Sequence, residues 1–357
     1  MGRVLIRWVA LVAAVLATAA AADERDRSAS AHTRDRSVAN SRTAEEPARR
    51  EPPSATICDA ACLQRYVDLY LTAVVAHDPK LVPLADHVRF TEMGQELVPG
   101  DGFWHTASDI GRYKHYFPDV TAGQIGYIGT MRENGELVLL GLRLRVEAGR
   151  ISEIETVLRR KGLEPAATDV GIEELDGRAA VDPLWLEPVP APERASREKL
   201  VAAASLYFAG IGHDPGNDSP PFADDCLRVE NGLQTSGSPK PERASGASRL
   251  AALDCKRQFE TGYFAVVTRV DHRRFVAVDS EHGLVFALAT LDYAGTRSVT
   301  LRDGRVVPTP AFAAPSSSLL VQAFRIEKGL IRRLEAVATR VPYRMGPGWE
   351  ASAAGRQ

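Results

Sequence analysis

Two stretches of this chain close in the same way. Leu144-Arg-Val-Glu-Ala-Gly-Arg-Ile-Ser-Glu-Ile-Glu155 and Phe324-Arg-Ile-Glu-Lys-Gly-Leu-Ile-Arg-Arg-Leu-Glu335 each read as strand, tight Gly-containing turn and strand. Upstream, Val88-Arg-Phe-Thr-Glu-Met-Gly94 is echoed by Cys226-Leu-Arg-Val-Glu-Asn-Gly232. Further upstream, a helical run ending in His77-Asp-Pro79 is echoed by one ending in His213-Asp-Pro215. Matched elements in a conserved order are the mark of an internal duplication. At 357 residues the chain is long enough for two such units, each with its own core.

The first copy begins with an apolar-faced helix, Tyr66 to Ala76, stopped by Pro79. A short strand, Val88–Phe90, and a polar turn, Thr91–Gly94, follow. A Gly-rich loop, Val98–Trp104, then precedes a second expected helix, Ile110 to Phe117, capped by Ser108, with Asp109 in its first turn and Pro118 at its end. Gln124–Thr130 reads as a strand and Glu133-Asn-Gly-Glu136 as a hairpin turn into Leu137–Val146. The second copy opens with a helix, Arg197 to His213. Its expected strands include Tyr263–Arg269 and Leu284–Leu291, and the Pro-containing stretch Thr300–Ser318 reads as an irregular insertion. The expected fold is α+β: two tandem modules, 56–160 and 197–345, each a curved antiparallel sheet wrapped by helices. A Pro/Ala-rich extended connector, 161–196, joins them.

A net charge of −2 with 25% charged residues gives no electrostatic case for nucleic acid. Met1 to Ala22 carries Arg3 and Arg7, then an apolar run ending in small residues, which is the pattern of a cleaved secretory signal peptide, with an uncleaved anchor as the alternative. Residues 23–55 lack apolar periodicity and read as a disordered leader. No other stretch is long and apolar enough to span a bilayer, so the mature protein is expected to be secreted or periplasmic, without a membrane span. Four cysteines suit an oxidising compartment and allow three pairings. The two local ones, Cys58–Cys62 and Cys226–Cys255, are expected, with buried free thiols as the alternative.

The order of elements resembles the NTF2-like superfamily, the cone fold shared by ketosteroid isomerase, scytalone dehydratase, limonene epoxide hydrolase and SnoaL-type cyclases. The landmarks His77-Asp-Pro79, Arg89-Phe-Thr-Glu92, Gly102-Phe-Trp104 and Gly141-Leu-Arg-Leu-Arg-Val-Glu147 look like those of tandem-domain secreted proteins of unknown function. The resemblance covers nearly everything after Cys58 except the connector. It implies a curved sheet with a deep pocket at the wide end of each cone. It implies no particular reaction, because one scaffold here serves isomerases, dehydratases, hydrolases, cyclases and binders. The catalytic sets of ketosteroid isomerase and limonene epoxide hydrolase find no residue-by-residue match.

Candidate chemistry concentrates between Trp104 and Asp119. His105, which titrates near neutral pH, is the expected general acid/base, with Asp119 as its partner. Tyr113 and Tyr116, three apart on the expected helix, are set to share a face and stabilise an oxyanion. Trp104, Arg112, Tyr127 and Glu155 are expected to line the substrate site, Arg112 holding an acidic substituent. Packing of the two tyrosines on the sheet and a surface role for His105 are the bland alternatives. His115 is expected to face solvent, and His77 and His213 to interact with helix-terminal carbonyls. Glu92 and Glu230, like Glu155 and Glu335, occupy equivalent positions, which favours architecture. Arg228 and Arg257 are candidates to line a second pocket. Asp279-Ser-Glu-His282 reads as a solvated turn rather than a metal site.

No Gly-x-Ser-x-Gly elbow, dinucleotide fingerprint or His-Glu-x-x-His appears. The expected function is therefore a cofactor-independent, metal-free acid/base enzyme, a lyase, dehydratase or isomerase acting on a small carbonyl-bearing or aromatic molecule. The alternative is a non-catalytic module that binds a small ligand. The two modules are expected to pair with each other as a pseudo-dimer within a monomer.

Overall fold

A computed structural model describes residues 58–162, 169–211, 220–240 and 248–349. The expected signal peptide and leader, and the His213-Asp-Pro215 echo, lie outside the described residues. Helix α1 (Ala60–Val75) starts where the Asp59 carboxylate accepts the Cys62 N–H at 2.7 Å, satisfying one of the orphan donors of the first turn. Leu63, Val67, Tyr70, Leu71 and Val74 recur at helical spacing and form its buried stripe. It ends at His77, whose φ of 55° closes a left-handed cap: the Asp78 N–H reaches the Ala73 carbonyl and the His77 N–H that of Val74. The histidine thus serves the helix end through its backbone. Its Nδ1 donates instead to the Trp104 carbonyl, pinning the loop over the helix end.

Strands β1 (Leu84–Glu92), β2 (Gln95–Leu97), β3 (Ala107–Asp119), β4 (Gln124–Glu133), β5 (Glu136–Glu147) and β6 (Arg150–Arg160) form one sheet. Their order is β2-β1-β6-β5-β4-β3, with only β1 and β6 parallel. The expected helix Ile110–Phe117 is not formed, and these residues belong to β3. Tyr113, His115 and Phe117 alternate with less buried Arg112, Lys114 and Tyr116 along this stretch. That is the two-residue period of a strand, and the aromatics favour it. Tyr113 and Tyr116 therefore point to opposite faces of the sheet.

The second copy repeats the topology. After α2 (Asp169–Arg178) and α3 (Arg197–Gly210) come β7 (Phe222–Glu230), β8 (Leu233–Gln234), α4 (Ser248–Ala251), α5 (Cys255–Glu260), β9 (Arg269–Asp279) and β10 (Leu284–Tyr293). A small hairpin, β11 (Ser298–Thr300) with β12 (Val306–Pro308), occupies the expected irregular insertion. It precedes β13 (Ser316–Glu327) and β14 (Leu330–Val341). The second sheet runs β8-β7-β14-β13-β10-β9, again with one parallel pair, β7 and β14. Where the sequence suggested a strand at Tyr263–Arg269 there is a short 3-10 turn, Tyr263–Val266, and the strand starts at Arg269. The stretch read as an extended connector contains α2.

Each sheet has an apolar cluster on its helix-covered side, built on Leu71, Phe90, Trp104 and Leu142 in the first and on Phe208, Phe259, Val285 and Phe324 in the second. A third cluster draws on both: Tyr113, Phe117, Ile128, Leu139 and Val157 from the first sheet pack with Phe286, Leu288, Leu319, Val321 and Val337 from the second. Burial on both faces explains why β5 and β10 read as nearly continuous apolar runs. The approach is close enough that a Cβ on Gly126 would overlap the Phe286 ring, and one on Gly141 would lie 2.7 Å from the Val321 side chain.

Two crossing segments tie the sheets further. The chain leaving β6 reaches the β7–β8 turn, where Gly171 in α2 abuts Gly232. The chain leaving β14 reaches the equivalent β1–β2 turn, where a Cβ on Gly94 would sit 2.6 Å from the Gly346 carbonyl oxygen. Cys58–Cys62 and Cys226–Cys255 are bonded, and no described cysteine is free. Chain-entropy reasoning ranks the two bridges. A separation of 29 against 4 makes loss of Cys226–Cys255 by serine substitution costlier than loss of Cys58–Cys62 by about 1.8 kcal/mol. Paired chemical melts of the two serine variants measure this; equal losses would contradict it.

Candidate functional site

The helix-covered interior of the first module is an apolar cluster of its own side chains. Tyr70 and Trp104 meet edge to face with ring centres 5.3 Å apart, and Tyr127 packs at 5.2 Å from Tyr116. Glu92 accepts the Phe103 N–H at 2.8 Å, and burial pushes its carboxyl above the usual range. Burial likewise pushes the Tyr70 and Tyr127 phenols well above the ordinary tyrosine value. Trp104 and Tyr127, expected to line a substrate site, are core residues here.

The other expected site residues are dispersed. His105 ends a 3-10 turn, Gly102–His105, with its side chain 71% exposed and 3.5 Å from Asp101. Asp119 is not its partner. That carboxylate is buried, receiving two hydrogen bonds from Arg197, at 2.9 and 2.7 Å, and one from the Val278 N–H at 2.9 Å. Arg112 is exposed on β3, its backbone N–H donating to Asp176. Tyr116 donates to Asp68 at 2.7 Å, which together with burial raises its phenol. Glu155 is buried between Arg143, at 3.2 Å, and Arg274.

Tyr113 donates to Glu335 at 2.9 Å, and His115 Nδ1 lies 2.7 Å from the same carboxylate. His115 is therefore not solvent-facing: it is 1% exposed, packed against the tilted ring of Phe117 and edge-on to Trp185. The strand period reverses the expectation, because His115 falls on the Tyr113 side of β3, which the second sheet covers. Glu155 and Glu335, equivalent in sequence, thus both point into the space between the sheets and take partners from the opposite module.

Tyr116 and Asp119 do share a cleft. It holds about 380 Å³ and is walled by Pro118, Trp185, Leu284 and the Asp279–His282 turn, with Gln64 and Arg197 at its edge. In that turn Asp279 Oδ1 accepts the N–H groups of Glu281 and His282, at 2.8 and 3.2 Å. Its Oδ2 meets His282 Nδ1 at 2.7 Å. The carboxylate is fixed by the backbone and in turn fixes the imidazole, which leaves Nε2 as the atom for proton exchange. The turn is partly solvated, as its sequence suggests, with Glu281 exposed, whereas the sequence singles out neither Trp185 nor Arg197. The available signal was a lone Leu184-Trp-Leu186 within a Pro/Ala-rich stretch.

Among the described residues no group of three or more His, Cys, Asp or Glu is placed to hold a metal ion. No described helix is long and apolar enough to cross a membrane.

Residues 193–338 match a family described only as a domain of unknown function (DUF8021). No curated protein matches the chain. Three solved structures are similar to it at a TM-score of 0.25. A de novo designed protein with a curved β-sheet is 13% identical, over 41% of this chain and 88% of its own. AclR, a putative hydroxylase from Streptomyces galilaeus, is 15% identical, over 41% and 83%. A putative isomerase from Bacillus subtilis is 11% identical, over 40% and 87%.

Proposed function

We propose that this chain is an exported, cofactor-independent acid/base protein of the NTF2-like type. Its modules, 56–160 and 197–345 with the connector 161–196, pair as a pseudo-dimer. The cleft beside Trp185 takes a small carbonyl-bearing or aromatic molecule, and His282, oriented by Asp279, exchanges a proton with it. The expected site is thereby moved from His105 to the cleft, while Tyr116 and Asp119 are kept as wall and brace. The Asp279–His282 pair at the mouth of an aromatic-walled cleft carries this reading. Pairing is supported by the shared apolar cluster and the two crossing segments, and export by the two disulfides and the Met1–Ala22 pattern.

The test is exchange of the hydrogens next to the carbonyl in a panel of aryl ketones, followed by NMR in deuterated water. Exchange by the parent protein is expected to fall at least about 100-fold in His282→Gln, the usual scale for losing a general base. Exchange that survives the substitution would remove His282 from the mechanism. Ligand binding seen by Trp185 fluorescence, absent from Trp185→Phe and without any exchange, would favour the non-catalytic binding module.

A further inference from the structure

The segment after β14 ends, among the described residues, on Trp349, and this indole is held unlike any other aromatic ring among those residues. The guanidinium carbons of Arg89, Arg143 and Arg274 lie 4.2, 4.5 and 5.5 Å from its ring centre. Its Nε1 donates to Thr91 Oγ1 at 2.7 Å, and Arg89 donates to the Gly348 carbonyl. Guanidinium groups attract an aromatic face electrostatically, Trp most of all.

The three arginines are not equally occupied. Arg143 reaches Glu153 at 2.7 Å, Glu155 at 3.2 Å and Gln124 at 2.8 Å through its Nε and Nη1. Arg274 reaches Glu155 with one nitrogen, while its buried Nε has no hydrogen-bond partner. Arg89 lies within ion-pair distance of no carboxylate among the described residues, and its hydrogen bond goes to the peptide carbonyl of the crossing segment. With Arg145, which shares Glu153 and also pairs with Glu147, four cations face three carboxylates, Glu147, Glu153 and Glu155, so the slot carries a positive excess of one.

The equivalent position on the other sheet is filled differently. There α2 crosses over and buries Ile172 and Leu175 in the shared apolar cluster. Met345 of the last segment packs on the same cluster. Here a half-buried indole enters a cationic slot from a stretch of irregular chain, Pro342–Trp349, that touches the β1–β2 turn through Gly346 and Gly348.

We propose that the Arg89–Arg143–Arg274 slot is a binding site for a planar aromatic carboxylate and that Trp349 is its tethered competitor. The ligand ring takes the place of the indole between the guanidinium faces. The ligand carboxylate takes the place of the Gly348 carbonyl on Arg89, where a bidentate ion pair is stronger than the single bond to an uncharged carbonyl that it displaces. This site shares no residue with the Trp185 cleft, so it stands or falls independently of the acid/base reading.

Indole-3-carboxylate is the probe, titrated calorimetrically into the full chain and two variants, Trp349→Ala and Trp349→Leu. Removing a competitor that occupies the slot about nine-tenths of the time tightens apparent binding about tenfold. Both variants are expected to show that gain, and adding Arg89→Met to either is expected to abolish it. Uncharged indole is expected to bind at least about tenfold more weakly than the acid, given the ion pair it lacks. Leucine preserves apolar contact with the arginine stems, so it covers the case in which the alanine variant does not fold. Equal affinity in the parent and in the folded variants would overturn the competition. Equal affinity for indole and its acid would overturn the anion site.

Discussion

Replacing Glu335 with alanine is expected to lower the free energy of unfolding by about 3–5 kcal/mol, the range for breaking a buried, hydrogen-bonded charge cluster. This carboxylate sits on β14 with the Tyr113 hydroxyl at 2.9 Å and His115 Nδ1 at 2.7 Å, both on β3 of the other sheet. Removing it strands two donors where no water reaches them, which costs more than the bonds themselves. Glu335→Gln keeps the volume and one acceptor and should lose only about 1–2 kcal/mol. Urea melts of the three proteins decide it. A loss below about 1 kcal/mol for the alanine variant would mean the cluster is not sealed between the sheets.

The second large effect belongs to Phe286. Its ring is buried, lies 5.1 Å from that of Phe117 and occupies the space a side chain at Gly126 would need. Phe286→Ala should cost about 3–5 kcal/mol through lost contact and the cavity left behind. Gly126→Val should cost about 1–3 kcal/mol by the opposite route, overpacking. Together the two changes should be milder than their sum by at least about 1 kcal/mol, because the valine fills part of the vacated space. Strict additivity in a double-mutant cycle would show that the sheets do not meet at this point.

Much of the architecture was legible in the chain itself. The repeated Arg-x-Glu-x-Gly closing hairpins and the repeated Glu-Met-Gly94 and Glu-Asn-Gly232 turns implied two sheets of like build, and the strand orders are the same. Such features are local: a Gly turn and a two-residue period report themselves over a few residues. Ile110–Phe117 reads as a helix in sequence because a serine, an aspartate and a following proline look like helix punctuation, yet the structure makes it a strand. The period of Tyr113, His115 and Phe117 said strand, and pairing with β4 enforces it. The candidate site inherited that error, since a helix puts Tyr113 and Tyr116 together while a strand sends them to opposite faces.

Sequence alone determined that there are two copies and that Glu155 and Glu335 occupy matching places, and it gave the two local cysteine pairs as an expectation that the structure bears out. Only the tertiary structure decided what those places are for. Glu155 meets Arg274, and Glu335 meets Tyr113 and His115, across 119, 222 and 220 residues of chain respectively. The same holds for the Trp185 cleft and the Trp349 slot, whose walls come from strands and crossing segments far apart in the chain. A period or a turn is written in neighbouring residues because it is set by local sterics. A buried carboxylate finds its partner only where the two sheets face each other, and no local pattern records which side chain will be waiting there.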